Sequence, residues 1–119
     1  MFVNLYGPTE ITCNCTCYIV DREFGENEKL PIGPAFENEE VFLLNEKDQP
    51  VSPGEEGEIC VRGTCLALGY YNDPERTNAV FVQNPLNDKY PELICGISRK
   101  KQMILAVAGA LDKIYRYSI

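Results

Sequence analysis

The sequence predicts a mainly β fold of the α+β class, a small barrel of short strands with one short helix and a C-terminal amphipathic helix. Three observations predict it. Short runs of β-prone residues are punctuated by prolines and glycines. Glu58, Cys60 and Arg62 alternate with Ile59 and Val61, the period of a half-buried strand. Beyond Pro91, Ile104, Val107, Ala108, Leu111 and Tyr115 recur at helical spacing.

Taken in order, Phe2 to Tyr6 reads as a short strand that runs into the Gly7-Pro8 turn. Cys13 to Val20 is a second strand, rich in Thr, Cys, Tyr, Ile and Val. A charged loop, Asp21 to Lys29, leads to Leu30-Pro31-Ile32-Gly33-Pro34, where the prolines impose an extended path. Glu40 to Asn45 is a third strand, and a turn-rich connection with Pro50, Pro53 and Gly54 delivers the chain to Glu58–Arg62. Asp73 and Pro74 are an N-cap and first-turn pair for a helix from Pro74 to Phe81.

The chain has 119 residues, 45% hydrophobic and 24% charged, which is the make-up of one globular domain. No apolar run approaches the roughly 20 residues needed to span a bilayer, and the N-terminus has no signal-peptide pattern. A soluble, cytoplasmic protein with no membrane partner is expected. A net charge of -7 lacks the basic footprint of phosphate-backbone binding, so nucleic acid is not an expected partner. Charge is uneven: residues 1 to 60 carry thirteen acids against three bases, whereas Arg99, Lys100, Lys101, Lys113 and Arg116 face only Asp112 beyond residue 95.

Six cysteines raise the question of a disulfide or zinc framework. Cys13, Cys15 and Cys17 would share one strand face, where neighbours do not pair, and the chain has no histidine and no repeated C-x2-4-C pair. Reduced core cysteines are expected.

In Tyr6-Gly7-Pro8-Thr9-Glu10 the Gly-Pro turn fixes the backbone, an aromatic ring is suited to a purine, a hydroxyl to phosphate and a carboxylate to magnesium. The same run also suits an ordinary turn. Asn4 to Glu10 as a whole closely resembles the signature loop of the adenylate-forming superfamily, in its amino-acid adenylation branch. Leu30-Pro31-Ile32-Gly33 resembles the L-P-I-G segment of that family, and Gly57-Glu58-Ile59-Cys60-Val61-Arg62-Gly63, continuing through Gly69-Tyr70, Pro74, Thr77 and Phe81, resembles a third block, all in family order. Within the branch the chain looks most like the D-alanine–poly(phosphoribitol) ligases, also called D-alanyl carrier protein ligases, or a related single-module amino-acid adenylation enzyme.

The resemblance covers roughly residues 2 to 94 and implies a strand of the nucleotide-binding domain followed by a distorted β-barrel subdomain of an adenylation enzyme. It divides the chain into an adenylation-domain portion, 1–94, and a divergent helical tail, 95–119. It implies a ligase that uses ATP and magnesium to make an aminoacyl adenylate, with D-alanine the expected amino acid, and passes the acyl group to a carrier-protein phosphopantetheine thiol. Asn4, Leu5, Tyr6, Gly7, Pro8 and Thr9 would line the nucleotide, with Tyr6 against adenine and Thr9 near the phosphates. Glu10 would help hold magnesium, and Leu5, Cys13 and Asn14 would flank the amino-acid pocket.

The block from Gly57 to Phe81 is expected to be scaffold, and no residue is assigned as catalytic. The family's phosphate loop, its amino-group aspartate and its C-terminal lysine have no counterpart here. After Leu93 the Y-(R/K)-T-G-D strand of the family is replaced by Ile94-Cys95-Gly96-Ile97-Ser98-Arg99-Lys100-Lys101-Gln102. The expectation is a truncated or frame-disrupted piece, inactive alone, with uncovered apolar surface that favours homo-oligomers. The alternative is a non-catalytic interaction module or one half of a split enzyme.

Overall fold

The computed structural model describes residues 1–86, 93–95, 105–108 and 114–117. Strand β1, Phe2–Tyr6, pairs antiparallel with β2, Thr16–Val20, in a register running from Phe2 opposite Val20 to Tyr6 opposite Thr16. The free edge of β2 takes up the proline segment that follows. Cys17 N–H donates to Pro34 O at 3.1 Å and Phe36 N–H to Cys15 O at 2.9 Å.

The second sheet is organised by β4, Glu56–Gly63, whose eight residues give it room for several partners. On one edge lies β3, Glu39–Leu44, paired along its whole length. On the other, β6, Leu93–Cys95, takes Cys60 and Val61, and β7, Leu105–Ala108, takes Glu56 and Gly57. β5, Phe81–Val82, extends the sheet beyond β6, and β8, Ile114–Tyr117, beyond β7. Pairings among the described residues do not close this sheet on itself, so the expected barrel is present as a mostly stranded, open arrangement. The turn between β3 and β4 is an Asx turn, Asn45 Oδ1 accepting from Lys47 N–H at 2.9 Å and Gln49 N–H at 3.1 Å.

The core sits between the two hairpins: Tyr6, Ile11, Cys15, Ile32, Leu43, Ile59 and Val61 form one buried cluster. Leu44 and Cys60 form a second, with Phe42 and Val82 packed against it. At Ile59-Cys60-Val61 both faces of β4 are therefore covered, one step beyond the half-buried strand that the alternation suggests. Helix α1, Pro74–Val80, is capped as expected, Asp73 Oδ1 accepting from Arg76 N–H at 3.0 Å.

Two expectations are corrected. The C-terminal amphipathic helix is absent where it can be checked, because Val107 and Ala108 lie in β7 and Tyr115 in β8; Ile104 and Leu111 lie outside the described residues. Ile, Val and Tyr suit strands as well as the helical stripe, and the edge of β4 that short β6 leaves open offers the backbone a ladder. The second strand begins at Thr16, not Cys13. Thr12 and Cys13 have φ of +62° and +145°, so Cys13 does not share a strand face with Cys17. Cys13, Cys15, Cys17 and Cys65 are unbridged thiols, Cys15 buried and Cys13 exposed, and Cys60 is buried.

Candidate functional site at the tip of the first hairpin

β1 and β2 are joined by a compact loop whose neck is closed by Cys15 N–H donating to Tyr6 O at 2.8 Å. Inside it, Pro8 starts a 3-10 turn, Thr9–Ile11, with Ile11 N–H bonded to Pro8 O at 3.2 Å and Thr12 N–H to Thr9 O at 3.1 Å. Ile11 is fully buried and anchors the turn on the core, while Thr9 and Cys13 stay exposed.

Gly7 is required by contact. A Cβ there would lie 2.1 Å from Cys13 O and 2.5 Å from Asn14 Cα, so only hydrogen lets the two arms of the loop meet. The fold thereby brings Gly7 against Cys13 and Asn14, while Leu5 lies across the strand pair from Cys17. Asn14 Nδ2 donates to Cys13 Sγ at 3.3 Å, and Asn4 Nδ2 donates to Pro31 O at 2.7 Å, tying the loop to the L-P-I-G segment. Leu5 is half exposed and Pro8 buried. The Tyr6 ring is 6% exposed and belongs to the core, so in this conformation it underlies the loop and its face is not offered to a base.

Glu10 is also only 6% exposed. Oε1 accepts a hydrogen bond from the Tyr70 hydroxyl, and Oε2 is buried without a hydrogen-bond partner among the described residues. The main chain here is fixed too, because Ala67 N–H donates to Glu10 O at 2.8 Å and Thr12 Oγ1 to Cys65 O at 2.9 Å. Tyr70 is clamped between the Arg76 guanidinium, 4.1 Å from its centroid, and Phe81, edge-on at 5.7 Å. Burial, then the bond to Glu10, raises its phenol pKa, which keeps it a donor.

Ala67 and Tyr70 belong to the block expected to be scaffold, and sequence reasoning missed their contact with the loop. The Gly69-Tyr70 pair within the third motif was the available signal, but a bond across 60 positions has no periodicity to reveal it. For magnesium the fit is partial. Such ions are commonly held by one or two carboxylates together with phosphate and water. Glu10 Oε2 suits that role, whereas the described residues contain no group of three His, Cys, Asp or Glu side chains able to hold a metal unaided. No helix among the described residues is long and apolar enough to cross a membrane.

Comparison with known proteins places this geometry. The AMP-binding enzyme family matches residues 1–71. Gramicidin S synthase 2 of Brevibacillus brevis is 43% identical over 82 residues, 69% of this chain and 2% of that protein. Bacitracin synthase 1 of Bacillus licheniformis is 41% identical over 83 residues, 70% of this chain and 2% of that protein. The chain thus spans about 2% of the length of these curated relatives. Among solved structures, IdnL1 superimposes with a TM-score of 0.82 at 30% identity, over 98% of this chain and 23% of that one. PA1221, described as an NRPS protein containing adenylation and PCP domains, does so with 0.81 at 32% identity, over 98% and 22%. Ordered motifs, a loop that folds them together and a family match over more than half its length lead to one conclusion: the chain belongs to the AMP-binding enzyme family.

Proposed function

We propose that this chain supplies one wall of the ATP and amino-acid site of an adenylation domain. The observation that carries this reading is the hairpin tip, which sets Gly7 against Cys13 and Asn14 and leaves Glu10 Oε2 without a hydrogen-bond partner among the described residues. In this reading Asn4 to Thr9 form the nucleotide wall, with Thr9 exposed toward the phosphates and Tyr6 supporting the loop from beneath. Leu5, Cys13 and Asn14 flank the amino acid. Glu10 would hold the magnesium that accompanies ATP, which would supply neutralisation of phosphate charge. The substrate carboxylate attacks the α-phosphorus, the bond to the bridging oxygen of pyrophosphate breaks, and an aminoacyl adenylate results. Its acyl group then passes to a phosphopantetheine thiol on a carrier protein, a partner consistent with the PCP domain named for PA1221. D-alanine is our proposed amino acid, resting on the resemblance of the motifs to D-alanine-activating ligases. The motif-bearing portion is 1–94, with 95–119 a divergent tail.

ATP–pyrophosphate exchange across the amino acids, D-alanine included, tests this reading. For the chain alone we expect no exchange and weak ATP binding by calorimetry; the absence of heat at millimolar nucleotide overturns the nucleotide wall. Exchange restored by further adenylation-domain segments, with another amino acid preferred, overturns only the D-alanine assignment.

A second reading, a non-catalytic interaction module or one half of a split enzyme, is favoured by apolar exposure on the first hairpin. Phe2 is 80% exposed, Leu5 49% and Ile19 57%, on a strand pair without a single charge. A stable homodimer in sedimentation, together with no nucleotide binding, supports the module.

A further inference from the structure

The geometry points to Tyr70 as the residue that positions Glu10 for the magnesium of a bound nucleotide, holding Oε1 and leaving Oε2 without a hydrogen-bond partner among the described residues. The inference rests on the reading of residues 4–10 as a nucleotide loop and adds a residue from a different motif to it.

A carboxylate on a free side chain presents either oxygen and rotates about its terminal torsion. Glu10 is deprived of that freedom. Its backbone is fixed on both sides by the 3-10 turn and by Ala67, and its carboxylate is fixed by one hydroxyl. That hydroxyl is itself held from α1. Asp73 caps the helix, and Thr77 Oγ1 donates to Asp73 O at 2.7 Å while accepting from Tyr70 N–H at 2.9 Å. Arg76 and Phe81 then fix the ring from the same helix and the strand that follows it.

The resulting chain of contacts runs from the helix cap through Thr77 and Tyr70 to Glu10, and every link but the last is internal to the third motif. A phenol that only filled space would not need its oxygen on a buried carboxylate. A buried carboxylate that serves the fold accepts from the chain around it, as Glu39 Oε1 does from Thr64 Oγ1 and Cys65 N–H, whereas the Glu10 carboxylate accepts from one side chain alone. Glu10 has one satisfied and one not. Partners that orient a ligating side chain typically affect metal affinity about 10-fold or more.

The test is calorimetry of ATP binding to the full chain, in EDTA and in magnesium, for wild type, Tyr70→Phe, Glu10→Gln and the double variant. Tyr70→Phe retains the ring between Arg76 and Phe81 and removes only the hydroxyl. We expect its affinity in EDTA to match wild type, and the gain in affinity on adding magnesium to fall about 10-fold. Glu10→Gln should lose the gain, and adding Tyr70→Phe to it should change nothing more. Equal weakening with and without magnesium, or no change, overturns the positioning role. If wild type binds ATP in neither condition, the nucleotide loop fails and this role with it; if wild type binds and Tyr70→Phe behaves like it, only the role fails.

A measurement on the unsubstituted side chain stands if Tyr70→Phe misfolds. With carbon-13 at tyrosine Cζ, magnesium added to the ATP-bound chain should shift the Tyr70 resonance in wild type and leave it fixed in Glu10→Gln. A Tyr70 resonance indifferent to magnesium in wild type overturns the proposal.

Discussion

Glu10 and Glu39 are both buried, 6% and 7% exposed, and each leaves Oε2 without a hydrogen-bond partner, yet their settings are opposite. Glu39 opens β3 directly across from Gly63. Its Oε1 accepts from Thr64 Oγ1 at 3.0 Å and Cys65 N–H at 3.1 Å, and Oε2 lies 2.1 Å from where a Cβ on Gly63 would stand. Glu10 sits on a loop turn and takes one bond from one side chain. A carboxylate that gathers a hydroxyl and a backbone N–H from the turn after β4 organises the chain around it, whereas one held by a single hydroxyl has one anchor only. Gly63→Ala tests the first half most severely. Its φ of +152° disfavours any side chain, and the new methyl would expel the Glu39 carboxylate, so a loss of about 3 kcal/mol or more is expected in urea unfolding. A loss under about 1 kcal/mol would break the contrast.

Alanine at each carboxylate sharpens it. Glu39→Ala leaves a backbone N–H and a hydroxyl without their acceptor and should cost about 2–4 kcal/mol of stability. Glu10→Ala frees only the Tyr70 hydroxyl and should cost about 1–2 kcal/mol, while removing the magnesium dependence of ATP binding. Reversal of that order in parallel unfolding curves would mean that Glu10 is the structural residue of the two.

The Glu39 setting also reaches Cys15, whose thiol is pushed up to about 12 from 9.0, chiefly by burial and next by the Glu39 charge. The folded value lies above the unfolded one, so the stability this thiol contributes is complete below pH 9 and is lost as pH rises toward 12. The urea midpoint of wild type should therefore fall more steeply across that window than the midpoint of Cys15→Ala. Glu39→Gln lowers the folded value and leaves the unfolded one unchanged, so the fall should end at lower pH and be smaller. Iodoacetamide at pH 8 should modify exposed Cys13 and spare Cys15.

The same division marks what the sequence makes legible. β1, β3, β4 and α1 stand within two residues of their expected bounds, because alternation, proline and an Asp-Pro cap act locally. The site loop is legible through motif order, yet its internal geometry, with a 3-10 turn and two residues of positive φ, is not. Neither buried glutamate is legible, since a charge is ordinarily read as surface and its partners lie 25, 26 and 60 positions away. The tail misleads for a related reason: Val107, Ala108 and Tyr115 fit a helical stripe, and only the open edge of β4, set by tertiary pairing, decides for strands.

The smallest expected effect belongs to a carboxylate that looks paired and matters least. Glu40, next to Glu39 in sequence, points to the other face of β3 and meets Arg62 across the strand pair. Its side chain is 60% exposed against 17% for Arg62, so water screens the attraction and ordering two long side chains offsets much of it. Glu40→Gln should change stability by no more than about 0.5 kcal/mol, with most of that change lost in molar salt. An effect comparable to Glu39→Ala would show that charge pairing on the outer face, more than the buried acceptor one residue earlier, fixes the register of β3 on β4.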